Sequence, residues 1–145
     1  MSYKIISKFI KDVSFEIPNT RSFVMLEKEI QNYSLNFDIK SSPYKNNIIE
    51  VSTTLKMVPN QEVKHKILGE ITGASLVSID EGFKDKNAIE KIVLVNVPQE
   101  IYSTLYETFV FLFKQAGIKN IQINKDELEL HEKFLKSNLK KNYFK

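Results

Sequence analysis

The sequence predicts an α+β fold: a four-stranded antiparallel sheet with a long helix and a second, C-terminal helix packed on one of its faces. Three observations carry this expectation. Apolar and polar residues alternate with a period of two through the first half of the chain, the period changes to helical spacing after Pro98, and only short turn signals separate the alternating segments. Short turns favour antiparallel neighbours, because parallel pairing needs long crossovers, so a simple meander is the expected connectivity. The 145 residues fit one domain spanning 1–145, with a basic tail at about 136–145 fraying into solvent.

The first strand is read from Phe9 to Ile17. Phe9, Lys11, Val13, Phe15 and Ile17 fall on one face, Ile10, Asp12, Ser14 and Glu16 on the other, and Pro18-Asn19 ends the segment. The second strand alternates Leu35, Phe37 and Ile39 against Asn36, Asp38 and Lys40, and Ser41-Ser42-Pro43 closes it. The third, Ile49 to Val58, turns Ile49, Val51, Leu55 and Met57 inward; Pro59-Asn60-Gln61 is its turn. The fourth, about Lys66 to Ile79, places Ile67, Ile71, Val77 and Ile79 on one face together with Gly69 and Gly73. Glycines inside a strand mark a bulge or a close approach, so this face is expected to meet a neighbour closely.

Pro98-Gln99-Glu100 has the form of a helix start, and no breaker follows before Ala116-Gly117. Ile101, Leu105, Leu112 and either Thr108 or Phe109 make a stripe at helical spacing, yet Phe109-Val110-Phe111-Leu112-Phe113 is apolar in every direction around the helix. Such a helix needs cover on both sides, and so short a chain leaves little to cover the second. A second copy is the economical answer, with Leu105, Phe109, Leu112 and Phe113 at an oligomer interface and the helices sandwiched between two sheets. Beyond the loop of residues 118–124, Leu128, Leu135 and Leu139 with Phe134 predict the second helix, capped by Asn124 or Asp126.

The inventory for chemistry is thin. Cysteine is absent, which excludes disulfides, thiolate catalysis and cysteine-ligated zinc. His65 and His131 stand far apart and outside any metal-ligand spacing, the glycines form no phosphate-cradling loop, and no serine sits in a nucleophile elbow. Asp12 and Glu16 share a strand face, but four strand residues put them about 13 Å apart, too far for glycoside hydrolysis. A docking stripe is the better reading of those acids, and a non-enzyme without metal or cofactor is expected. No stretch reaches the length of a membrane span, and the start lacks a signal-peptide pattern, so the expected location is the cytoplasm. The net charge of +3 is mild; only the end, with Lys136, Lys140, Lys141 and Lys145, is lopsided, and a solvated terminus explains it better than a nucleic-acid arm.

The run Lys11-Asp12-Val13-Ser14-Phe15-Glu16-Ile17-Pro18-Asn19 resembles the N-terminal signature strand of the SecB family of export chaperones. Residues 35–79 can be laid on the SecB sheet, and Val97-Pro98-Gln99-Glu100-Ile101-Tyr102 is similar to the family's proline-led entry to its long helix. The resemblance covers nearly the whole chain up to the basic tail, which in SecB is commonly acidic. It implies a homotetramer built as a dimer of dimers, apolar grooves that hold unfolded precursor proteins without ATP, and an acidic sheet face that docks the translocation motor SecA. By position, the SecA-type face is Asp12, Ser14, Glu16, Leu68 and Glu70, and the client groove is Ile67, Leu76, Val77, Ile101, Tyr102, Ile118, Ile121 and Leu128. A chaperone dedicated to one client, such as an antitoxin, is the alternative within the same resemblance. A basic nucleic-acid-binding module is the alternative of another class, and a cleft enzyme is a third that the poor supply of general acids and bases disfavours.

Overall fold

A computed structural model describes residues 2–60, 64 and 66–118. Four antiparallel strands, β1 (Tyr3–Glu16), β2 (Tyr33–Lys45), β3 (Ile48–Pro59) and β4 (Leu68–Ile79), form one sheet in the order β1-β4-β3-β2. The expected sheet is therefore present with a different connectivity. β2, β3 and β4 are a meander, but β1 lies beside β4, which makes the set a Greek key. The reason is the segment after Pro18. Asn19 accepts a hydrogen bond from the Ser22 N–H at 2.9 Å and caps a helix, α1 (Thr20–Glu29), that a 3-10 turn (Ile30–Asn32) extends. This connection is too long for a hairpin and carries the chain from one edge of the sheet to the other.

Pairing of β1 with β4 skips Ile6 and Lys11, one bulge at each. The second bulge flips the alternation, so the expected grouping of Phe9 with Lys11, Val13 and Phe15 is corrected. Val13 and Phe15 face Ile71 and Gly69 on the helix side, whereas Phe9 stands opposite Ala74 on the outer side. β2 runs through the expected stop at Ser41-Ser42-Pro43; as an edge strand it tolerates a residue with no N–H, and Pro43 pairs with Ile49. Asn46, with φ of 50°, turns the chain into β3.

The long helix begins earlier than Pro98. Asp85 accepts hydrogen bonds from the N–H groups of Asn87 and Ala88 and starts α2 (Lys86–Lys91), a π segment follows (Ile92–Asn96), and α3 (Val97–Gln115) continues it. Pro98 lacks an N–H and its ring presses on the carbonyl four residues back. The wider turn just before it, closed by Val97 N–H to Ile92 O, accommodates that ring inside a continuous helix instead of at its start. The second, C-terminal helix, the loop leading to it beyond Ile118, both histidines and the lysine tail lie outside the described residues.

α3 lies on the helix side of the sheet. Leu105, Phe109 and Phe113 are 0%, 0% and 1% exposed and pack with Leu55, Ile71 and Ile101 in the larger core cluster. A smaller cluster joins Val51 and Val77 to Ile92, Val93 and Val97 around the π segment. Each of these fully buried side chains contributes about 1.5–3 kcal/mol relative to exposure. Phe15 meets Phe113 edge-to-face at 5.3 Å, which ties the end of β1 to the end of α3.

The expected close approach at the two strand glycines is present, and helix side chains make it. A Cβ on Gly73 would stand 2.7 Å from Ile101 Cδ1 and 2.8 Å from Leu105 Cδ2, and one on Gly69 would stand 2.9 Å from Phe109 Cε1. Gly73→Ala is expected to lower the free energy of unfolding by about 1–3 kcal/mol through overpacking. Gly82→Ala, with nothing within 4 Å of the added carbon, is expected to be neutral or slightly stabilising. Urea denaturation of the two variants checks the contrast. Asn19→Ala, which removes the α1 cap, is expected to cost about 1 kcal/mol in the same measurement.

Candidate functional site

The outer face of the sheet carries no helix among the described residues. Register alone assembles its side chains into rows across the strands. Glu16 pairs with Leu68, Ser14 with Glu70 and Asp12 with Thr72, so all five positions expected on the docking face stand on adjacent rows of β1 and β4. The rows continue into β3 and β2: Glu70 faces Lys56 and then Asn36, and Thr72 faces Thr54 and then Asp38. Thr54 and Thr72 share a hydrogen bond at 2.8 Å between their hydroxyls. These rows floor an open trough of about 620 Å³ whose charged lining is Lys11, Asp12, Asp38, Lys40, Lys56 and Glu70.

The carboxylates of this face divide into two kinds. Glu50 is held by Lys11 at 2.9 Å, and Asp38 lies 4.0 Å from Lys40. Asp12, Glu16 and Glu70 have no ion-pair partner within 4 Å among the described residues. The three acids singled out in the sequence thus make no ion pair among the described residues, although Lys56 stands opposite Glu70 in the register. Lys11 reaches Glu50 from the bulge position, so the same insertion that moves Phe9 outward removes a lysine from alternation. Nothing in the local sequence marks that bulge.

The groove positions fare differently. Ile67, Val77, Ile101, Tyr102 and Ile118 are buried within the protomer, and of the described candidates only half-buried Leu76 faces outward, opposite Ser7 and Glu50. Those five are core residues and offer no ready surface; Ile121 and Leu128 lie outside the described residues. Most of the oligomer positions are buried in the protomer too. Leu105, Phe109 and Phe113 point into the sheet of their own protomer, because Gly69 and Gly73 let the helix sink onto it. Leu112 is half-buried at the rim, and Phe111, 58% exposed, is the side chain that α3 turns away from the sheet.

Sequence reasoning also missed an apolar edge. Ile6, Phe9, Ile10 and Val13 of β1 are 38–49% exposed, on both faces of an edge strand. Large apolar side chains gathered on one strand are a contact surface more often than a neutral exterior. Their signal was the run of apolar residues in the first strand, which the assumed regular alternation folded into a core. Among the described residues no three His, Asp or Glu side chains come together as metal ligands, and no helix is long and apolar enough to cross a membrane.

Comparison with known proteins fits this geometry. A family model described as preprotein translocase subunit SecB matches residues 1–134. A putative protein-export protein SecB of Pelagibacter ubique (strain HTCC1062) is 41% identical over 133 residues, covering 90% of this chain and 95% of that protein. Among solved structures, a SecB-like chaperone of Mycobacterium tuberculosis, in complex with a peptide from an antitoxin, superposes with a TM-score of 0.65. It covers 85% of this chain and 86% of that one at 10% sequence identity, which is a likeness of fold.

Proposed function

From the premise that this chain belongs to the SecB family of protein-export chaperones, we propose that it holds unfolded precursor polypeptides without ATP and hands them to a SecA-type motor in the cytoplasm. The observation that carries this reading is the surplus of exposed apolar surface: Ile6, Phe9, Ile10 and Val13 along β1, and Phe111 on α3. An unfolded chain offers scattered apolar and aromatic side chains, and many weak contacts along such surfaces hold it without reading its sequence. Holding of this kind needs no covalent step.

Part of the same surface is used by further copies of the chain. Phe111 with half-buried Val110 and Leu112 gives α3 an apolar outer side, as a helix covered by a second subunit requires. A dimer of dimers built this way keeps the outer sheet faces free. On that free face Asp12, Glu16 and Glu70, which make no ion pair among the described residues, form the motor-docking strip with Ser14 and exposed Leu68 beside them. Its charges steer a basic partner and set the encounter rate more than the final affinity. The antitoxin-derived peptide bound by the Mycobacterium tuberculosis protein favours a second reading, a chaperone dedicated to one client.

Mass measurement with light scattering is expected to give a tetramer that suppresses aggregation of several unrelated unfolded proteins in the absence of nucleotide. A stable monomer with no such activity overturns the proposal, and protection of one client alone moves it to the dedicated reading. Asp12→Lys with Glu70→Lys is expected to weaken binding to SecA at least about tenfold, about 1.4 kcal/mol, and to leave aggregation suppression unchanged. Equal SecA affinity in the wild-type and doubly substituted proteins removes the docking assignment.

A further inference from the structure

Ile67 and Ile118 share a core cluster with a residue of α1. α1 places Leu26, itself 2% exposed, in one cluster with Ile67, Phe109, Phe113 and Ile118, and packs Phe23 and Ile30 on its rim. Phe23 also covers the end of α3, with its Cζ 3.4 Å from where a Cβ on Gly117 would stand. The helix that connects the two edges of the sheet thus contributes Leu26 and Phe23 to the apolar cluster near the end of α3.

α1 is attached in a way that lets it leave as a unit. Its N-terminal hydrogen bonds are internal to the segment, from the Ser22 N–H and hydroxyl to Asn19 Oδ1 and from the Phe23 N–H to Asn19 O. Among the described residues no backbone hydrogen bond joins α1 to the sheet or to α3. Its flanks, by contrast, are fixed. Glu16 pairs with Leu68 before it; after it, Tyr33 pairs with Pro59, its hydroxyl accepts from the Ile67 N–H at 3.3 Å, and Asn32 O accepts from the Asn60 N–H at 2.6 Å. Between those anchors, among the described residues, α1 is held down by side-chain burial, chiefly of Leu26, while its other face is water-exposed and includes Val24 at 60%. Segments with few buried contacts and no ladder to neighbours open below the global unfolding free energy.

We propose that α1 is a displaceable cover over a client seat lined by Ile67, Phe109, Phe113 and Ile118, in which an aromatic or branched apolar side chain of an unfolded polypeptide replaces Leu26 and Phe23. This rests on the client-holding function proposed above. The seat accepts side chains of the size that α1 itself supplies and rejects charged ones, because Ile67, Phe109, Phe113 and Ile118 offer a charge only apolar side chains. The cover also lowers apparent client affinity in proportion to the fraction of time it is closed. Weakening it therefore tightens client binding while it loosens the fold, and these two effects of one substitution have opposite signs.

The test combines two substitutions with hydrogen exchange. Leu26→Ala is expected to lower the urea midpoint and to bind reduced, carboxymethylated α-lactalbumin at least about tenfold more tightly than the wild type. Val51→Ala removes a side chain from the other cluster, so it is expected to lower the midpoint without tightening binding. Equal gains in both variants, or a loss in Leu26→Ala, overturn the cover. In the wild-type chain alone, amides of α1 are expected to exchange through an opening that leaves β3 and β4 protected, and exchange of α1 only together with β4 overturns it as well. If α-lactalbumin binds none of the three proteins, the client-holding reading itself fails, and the exchange pattern of the chain alone tells that outcome apart from a cover that never opens.

Discussion

The architecture depends on two side chains that are missing. With hydrogen at Gly69 and Gly73, α3 settles onto β4 closely enough for Phe109, Ile101 and Leu105 to occupy the volume that two Cβ atoms would take. That approach puts Leu105, Phe109 and Phe113 wholly inside the protomer and fixes the rotation of α3 about its axis. Once the rotation is set, Phe111 has to point away, so one contact decides both the inner core and the apolar side left for another molecule. The π segment before Pro98 serves the same end, because it lets one helix run from Lys86 to Gln115 along the sheet without a break at the proline.

The sheet separates two kinds of surface. Its helix side is sealed by α3 and α1 and is dominated by apolar packing, whereas its outer side carries charged rows fixed by strand register. Because successive residues on a strand point to opposite sides, β4 serves both at once: Gly69, Ile71 and Gly73 face the helix, and Leu68, Glu70 and Thr72 face outward. In the proposed function, holding and docking on opposite sides of one sheet need not compete for space. The β1 edge joins them, with Phe9 outside, Val13 on the helix side and the bulge at Lys11 between.

Local pattern revealed those elements whose neighbours are also local. The β3 positions Ile49, Val51, Leu55 and Met57 turn inward as their alternation indicates, and Gly69 and Gly73 share the face that meets the helix. Asp12, Ser14 and Glu16 share an outer face for the same reason. What was lost involved features that alternation does not encode. A bulge changes the face of every residue beyond it and leaves the composition untouched. α1 was overlooked although Asn19 is a good cap and Phe23, Leu26 and Ile30 recur at helical spacing, because the assumed meander treated the stretch between Pro18 and Leu35 as a connection only. The groove positions were chosen for being apolar, and apolarity does not distinguish a core from a groove.

The sequence by itself determined the class of structure and the family: the alternation, the strand glycines and the run from Lys11 to Asn19 are local chemistry that reads the same in any context. Only the tertiary structure decided which edge β1 occupies, which side of α3 is buried, and that Ile67 and Ile118 share a cluster with Leu26 of α1. Those outcomes come from competition for burial among segments far apart in the chain. A residue's own identity states how much it gains by leaving water, and the fold alone states which neighbour removes it.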